Sequence, residues 1–130
     1  MKGRVVVKIQ ESAENYLETI FMLSRHKPYV RSIDIANELS FSKPSVSVAM
    51  KNLREKEQIR VTPEGYIYLT DSGRAIAEMI YERHQLISRG LMSLGVDEQT
   101  ATEDACRIEH VISQESFEAI KRHLHMTAEK

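Results

Sequence analysis

The stretch "DACRIEHVIS", residues 104–113, holds the chain's single cysteine, Cys106, with Glu109 three residues and His110 four residues further on. On a helix these positions share one face. Thiolate, carboxylate and imidazole all bind divalent transition metals, and a soft thiolate among harder donors suits iron(II) or zinc(II). The competing reading is an ordinary amphipathic helix, since lone cysteines are commonly small buried apolar residues. Ala101, Ala105, Ile108 and Ile112 form an inward stripe beside the three polar residues. Three ligands from one segment leave coordination positions open, so another helix has to supply more. Asn15 and Glu18, at i and i+3, are one candidate pair. His84, which interrupts an apolar stripe, is another, although in isolation it reads as a hydrogen-bonded core histidine.

These residues need elements to position them. Ala13, Tyr16, Leu17, Ile20 and Phe21 recur with helical period behind Ser12, a candidate N-cap, and predict a first helix. "SIDIANEL" (32–39) predicts a second. "SFSKP" breaks it, and Pro44 is tolerated in the first turn of a third, "SVSVAMKNLREK". From Gln58 to Leu69 the alternation around "TPEG" predicts a β-hairpin, and a hairpin directly after a helix-turn-helix is a wing. A long helix follows, with Ile76, Ile80, His84, Ile87, Leu91 and Leu94 as its stripe, ended by Gly95. An acidic fifth helix should run from Asp97 or Glu98 to about Ile112, and "QESFEAIKRHL" makes a sixth. The fold class is therefore mainly α with a small β-wing. Residues 1–70 form a winged helix-turn-helix, and residues 71–130 a helical domain.

A chain of 130 residues can bury a core without disulfides, and its net charge of −1 hides an asymmetry. Between Lys27 and Arg60 seven Lys/Arg face four Asp/Glu, whereas Asp97 to Glu118 carries seven acids and Arg107 alone. The first half suits an anion and the second a cation. No apolar run approaches the roughly 20 residues of a membrane span, and "MKGRVVVK" is too short for a secretory core, so a cytoplasmic protein is expected. Lys2, Arg4 and Lys8 make the N-terminus either a DNA-contacting arm or a frayed end. An enzyme is not expected: no H-E-x-x-H is present, and none of the five histidines has an acid three residues before it.

The second helix of a helix-turn-helix enters the DNA major groove with its N-terminal side chains, here Ser42, Lys43, Pro44, Ser45 and Ser47. No Arg, Asn or Gln stands there for bidentate base pairing, so reading should be partly through DNA shape. Lys43, Lys51, Arg54 and Arg60 are placed to neutralise phosphates.

Together "ENYLETIFML", "RSIDIANELSFSKPSVSVAMKNL", "ERHQLI" and "DACRIEHVIS" resemble the diphtheria toxin repressor and manganese transport regulator family of metal-dependent transcriptional repressors, over about residues 11–123. The resemblance implies that the helical domain serves dimerisation and metal binding. It also implies a homodimer on a double-stranded, palindromic DNA operator, and iron(II) or manganese(II) as co-repressor, with zinc(II) or cobalt(II) acting in vitro. The family's metal positions fall on Asn15, Glu18, His84, Cys106, Glu109 and His110. Asn15 stands where the iron branch has Met and the manganese branch Asp, and Cys106 follows the iron branch. Ser88 and Thr102 replace the Glu and His of that branch's ancillary site, and no SH3-like C-terminal domain is expected. A cation held by both halves would narrow their relative motion until the two recognition helices match half-sites roughly 34 Å apart. The alternative is a winged-helix regulator gated by a small ligand or by thiol redox, without metal.

Overall fold

The computed structural model describes residues 2–128, with side chains described from Ser12 to His125. The described residues divide into two compact units, one through Glu78 and one from Met79. The first contains α1 (Lys2–Ser24), α2 (Ser32–Leu39), α3 (Lys43–Glu55), the strands β1 (Ile59–Val61) and β2 (Ile67–Leu69), and the opening turns of α4 (Asp71–Ser93). The second contains the rest of α4, then α5 (Glu98–Ile108) and α6 (Gln114–Ala128).

α1 starts at Lys2, well before the expected cap at Ser12. The reason is local: between Arg4 and Glu11 nothing breaks a helix, and Ser12 is tolerated as an exposed interior position. The apolar seam still begins where the periodicity put it, with Tyr16, Leu17 and Ile20 buried. The side chains of Lys2, Arg4 and Lys8 lie outside the described residues.

α2 opens with Asp34 in its first turn. The carboxylate accepts from the Arg31 backbone N–H at 2.9 Å and from Lys27 Nζ at 3.0 Å, which holds it below the usual carboxylate range. Ser40, in the left-handed region at φ 57°, stops the helix. Ser42 then caps α3 by accepting from Ser45 N, with Lys43 and Pro44 in the first turn. Ile35, Ala36, Val46, Met50 and Leu53 close over the α1 seam.

The hairpin pairs Ile59 with Leu69 and Val61 with Ile67, antiparallel. Its turn closes through Gly65 at φ 86°, whose N–H donates to Thr62 O at 2.9 Å. Ile59 and Ile67 are buried, and Ile67 N donates to Val30 O at 2.8 Å, tying the hairpin to the segment before α2. Thr70 O accepts from Arg74 N and its hydroxyl from Gly73 N, which starts α4. Ala77 joins the first core, so the packing boundary falls inside α4.

In the second unit Ile80 and Ile87 of α4, Ala101 and Ala105 of α5, and Phe117 of α6 are buried. Leu94 was expected to point inward but is 81 % exposed: it lies beyond the last turn of α4, where Gly95 at φ 100° redirects the chain. α5 ends at Ile108 instead of running to Ile112. Ser113 is the cause, since its hydroxyl accepts from Ser116 N and starts α6, leaving residues 109–112 as a turn. No helix among the described residues is long and apolar enough to cross a membrane.

Candidate metal centre and nucleic-acid interface

Three of the six expected metal ligands converge in the second unit. Among the described residues, donor atoms of His84, Cys106 and Glu109 lie within 4.8 Å of one another. α4 supplies His84, between buried Ile80 and Ile87, so the helical stripe aims its ring inward. Cys106 stands on the last turn of α5 and is exposed. Glu109 is the C-cap of α5, still in the right-handed helical region, so the i, i+3 relation to Cys106 survives the helix end.

Glu109 is 1 % exposed, and its carboxylate is held at both oxygens. Oε2 lies 2.9 Å from His84 Nδ1 and Oε1 lies 3.3 Å from His110 Nε2. The fourth ligand candidate, His110, therefore reaches the site through Glu109 and is not one of the three converging donors. Cys106 Sγ lies 3.8 Å from His84 Nδ1. Hydrogen bonding to Cys106 first, and to Glu109 second, pushes the His84 imidazole up to about 10, against the opposing effect of burial. The donor set fits a divalent transition cation: one imidazole, one thiol and one buried carboxylate, with the softer sulfur at the open side.

Asn15 and Glu18 stand on α1 in the first unit, both half-buried, and the Asn15 backbone carbonyl accepts from Thr19 Oγ1 at 2.8 Å. Ser88 is buried, its hydroxyl donating to Gln85 O, and Thr102 is exposed.

Arg83 was not singled out by its sequence. It is 8 % exposed, and its guanidinium donates to Glu109 O, Ile112 O and Gln114 Oε1 at 2.9–3.1 Å. The signal was present: positions 80, 83, 84 and 87 form one i, i+3, i+4, i+7 set, so an arginine at 83 is on the buried face.

In the first unit Ser42, Lys43, Pro44, Ser45, Ser47, Lys51 and Arg54 are all exposed on or beside α3, and Arg60 is exposed on β1. Val46, Met50 and Leu53 take the buried stripe, leaving Lys43, Ser47, Lys51 and Arg54 along the outward one. The Ser42 hydroxyl donates to Ser45 Oγ at 2.8 Å, so both hydroxyls already serve the helix cap. At the wing, Tyr29 stacks on Tyr66 with centroids 4.3 Å apart, and Arg31 lies over the Tyr66 ring at 4.9 Å.

Two family models match successive segments of the chain, with a boundary before α4 where the compact units divide within it. Residues 8–66 match the model of the iron dependent repressor N-terminal DNA binding domain, and residues 70–129 that of the iron dependent repressor metal binding and dimerisation domain. The transcriptional regulator MntR of Escherichia coli O6:H1 is 33 % identical over 112 residues, covering 86 % of this chain and 72 % of the relative. The solved manganese regulator SloR has TM-score 0.78 and 29 % identity, covering 87 % of this chain and 53 % of that one. A manganese-dependent transcriptional repressor solved in complex with manganese has TM-score 0.79 and 25 % identity, covering 87 % and 52 %. The chain thus spans about half the length of these solved structures.

Proposed function

Because this chain belongs to the iron-dependent repressor family of metal-dependent transcriptional regulators, we propose that it is a homodimeric repressor of iron or manganese homeostasis genes. Its DNA binding is switched on by a divalent metal, iron(II) or manganese(II). The observation that carries this reading is the convergence of His84, Cys106 and Glu109 within 4.8 Å.

His84, Cys106 and Glu109 are the proposed core ligands, with His110 beside the Glu109 carboxylate and Asn15 and Glu18 as donors assigned by the family resemblance. When bound, the metal supplies a double positive charge that offsets the carboxylate and thiolate. The chain's own contribution is to place these donors: the His84 ring presents Nδ1 to both Cys106 and Glu109, and the buried Glu109 carboxylate is aimed by an imidazole at each oxygen. A neutral His84 and a deprotonated Cys106 are required for ligation.

On the DNA side, Lys43, Lys51, Arg54 and Arg60 are the proposed phosphate contacts. Ser47 and the methylenes of Pro44 are the proposed base contacts, and Ser42 and Ser45 hold the start of α3 in shape for the major groove. The operator is proposed to be palindromic to match a two-fold dimer, and the domain division 1–70 and 71–130 is retained as the functional one.

The test is an anaerobic titration of iron(II), manganese(II), zinc(II) and cobalt(II) into chelated protein. Duplexes selected from a random library in the presence of each metal provide the DNA readout. Enrichment of a palindrome with metal, lost on chelation, is the expected result. Equal DNA binding with and without chelator overturns the proposal.

A further inference from the structure

We propose that Arg83 is a positioning residue for the metal centre, acting through the backbone of Glu109 and the turn at residues 109–112. This rests on the metal reading above and gives a role to a residue of "ERHQLI" that is not among the six metal positions assigned by the resemblance.

Arg83 and His84 are consecutive on α4, and between them they grip Glu109 at both ends. His84 Nδ1 takes the carboxylate at 2.9 Å, while Arg83 Nη1 donates to the Glu109 carbonyl at 3.1 Å. The same Nη1 donates to Ile112 O at 3.0 Å, and Nη2 to Gln114 Oε1 at 2.9 Å. The guanidinium carbon also lies 5.6 Å from the centroid of the buried Phe117 ring.

A helix leaves its last carbonyls without intrahelical partners. At the end of α5 the Glu109 carbonyl is satisfied by a side chain of another helix, so the direction of the Glu109 peptide is set by α4. Gln114 opens α6, so one planar fork fixes the end of α5, the turn and the start of α6 together. The buried Nε–H has no partner, which leaves those three bonds to compensate a 92 % buried charge. Without the fork the Glu109 carboxylate would have to be ordered by the arriving cation, which lowers affinity. Lysine substitutes only in part, because its ammonium keeps the charge but is a point donor with no fixed fork geometry.

The test uses cobalt(II) with the full chain, read by the thiolate-to-cobalt absorption band. Metal-free thermal unfolding and helicity are recorded in parallel. R83Q and R83K are compared with the unaltered chain and with Glu109→Ala, which removes a ligand outright. R83Q is expected to fold, keep the band, and bind cobalt about 10- to 100-fold more weakly, with R83K in between. If R83Q does not fold, Gln114→Ala, which removes one arm of the fork at an exposed residue, is expected to weaken binding about three- to tenfold. Cobalt affinity and spectrum unchanged in the folded variants overturn the proposal while leaving the metal reading intact. Absence of the band in the unaltered chain overturns both.

Discussion

His84 Nδ1 and Glu109 Oε2 stand 2.9 Å apart, although 25 residues separate them and only a helix end carries Glu109. The pair puts a nearly fully buried carboxylate against an imidazole that also faces the only thiol of the chain. Burial of a carboxylate is costly unless it is paired, so this pair carries the centre.

Glu109→Ala is expected to abolish metal-activated DNA binding, weakening metal affinity by more than about 100-fold, beyond the loss of a mere supporting partner. His110→Ala should also lose the activation. Isothermal titration with manganese(II), together with gel-shift assays with and without chelator, checks both. A Glu109→Ala protein that still gains DNA affinity with metal would refute the assignment.

Metal uptake is expected to depend steeply on pH. The folded-state pKa of His84, about 10, lies above the ordinary 6.5, so in the metal-free protein the imidazolium contributes stability in full below pH 6.5 and loses it as pH rises towards 10. That same proton has to leave before the nitrogen can bind a cation. Metal affinity should therefore rise with pH, by up to about tenfold per unit from this group between pH 7 and 8.5. Titrations across that range and proton release in weak buffer measure it, and a flat profile contradicts it.

Lys51→Ala and Arg54→Ala, at exposed positions of α3, are expected to weaken binding to all duplexes alike. Each should reduce the slope of log affinity against log salt by roughly 0.9. Fluorescence anisotropy over a salt series gives the slope, and unchanged slopes would remove these residues from the interface.

Gly73→Ala is expected to destabilise the protein by about 1–3 kcal/mol, because a Cβ there would collide with the Gln58 carbonyl oxygen, a backbone atom. At an unconstrained helix position the same change stabilises by up to about 1 kcal/mol. Urea unfolding decides the sign.

The helix-turn-helix, the wing and the three C-terminal helices were legible because each is set by short-range chemistry. Asp34 and Ser42 cap their helices from three residues away, Gly65 meets a positive φ, and apolar period tells Val46, Met50 and Leu53 from Lys43, Lys51 and Arg54. The early start of α1 and the early end of α5 were not legible. A helix lacking a breaker extends until something stops it, and α5 is stopped by the competing cap at Ser113.

By itself the sequence determined that Cys106 and Glu109 share a face and that His84 breaks an apolar stripe, because helical period is a property of neighbouring residues. Only the tertiary structure decided that the stripe of α4 brings His84 to that face, that Glu109 is nearly fully buried while Cys106 is exposed, and that Arg83 bonds to both ends of the turn at residues 109–112. Those outcomes depend on which turn of one helix packs against the end of another. Packing between segments 22 or more residues apart selects that register, and no local pattern encodes it.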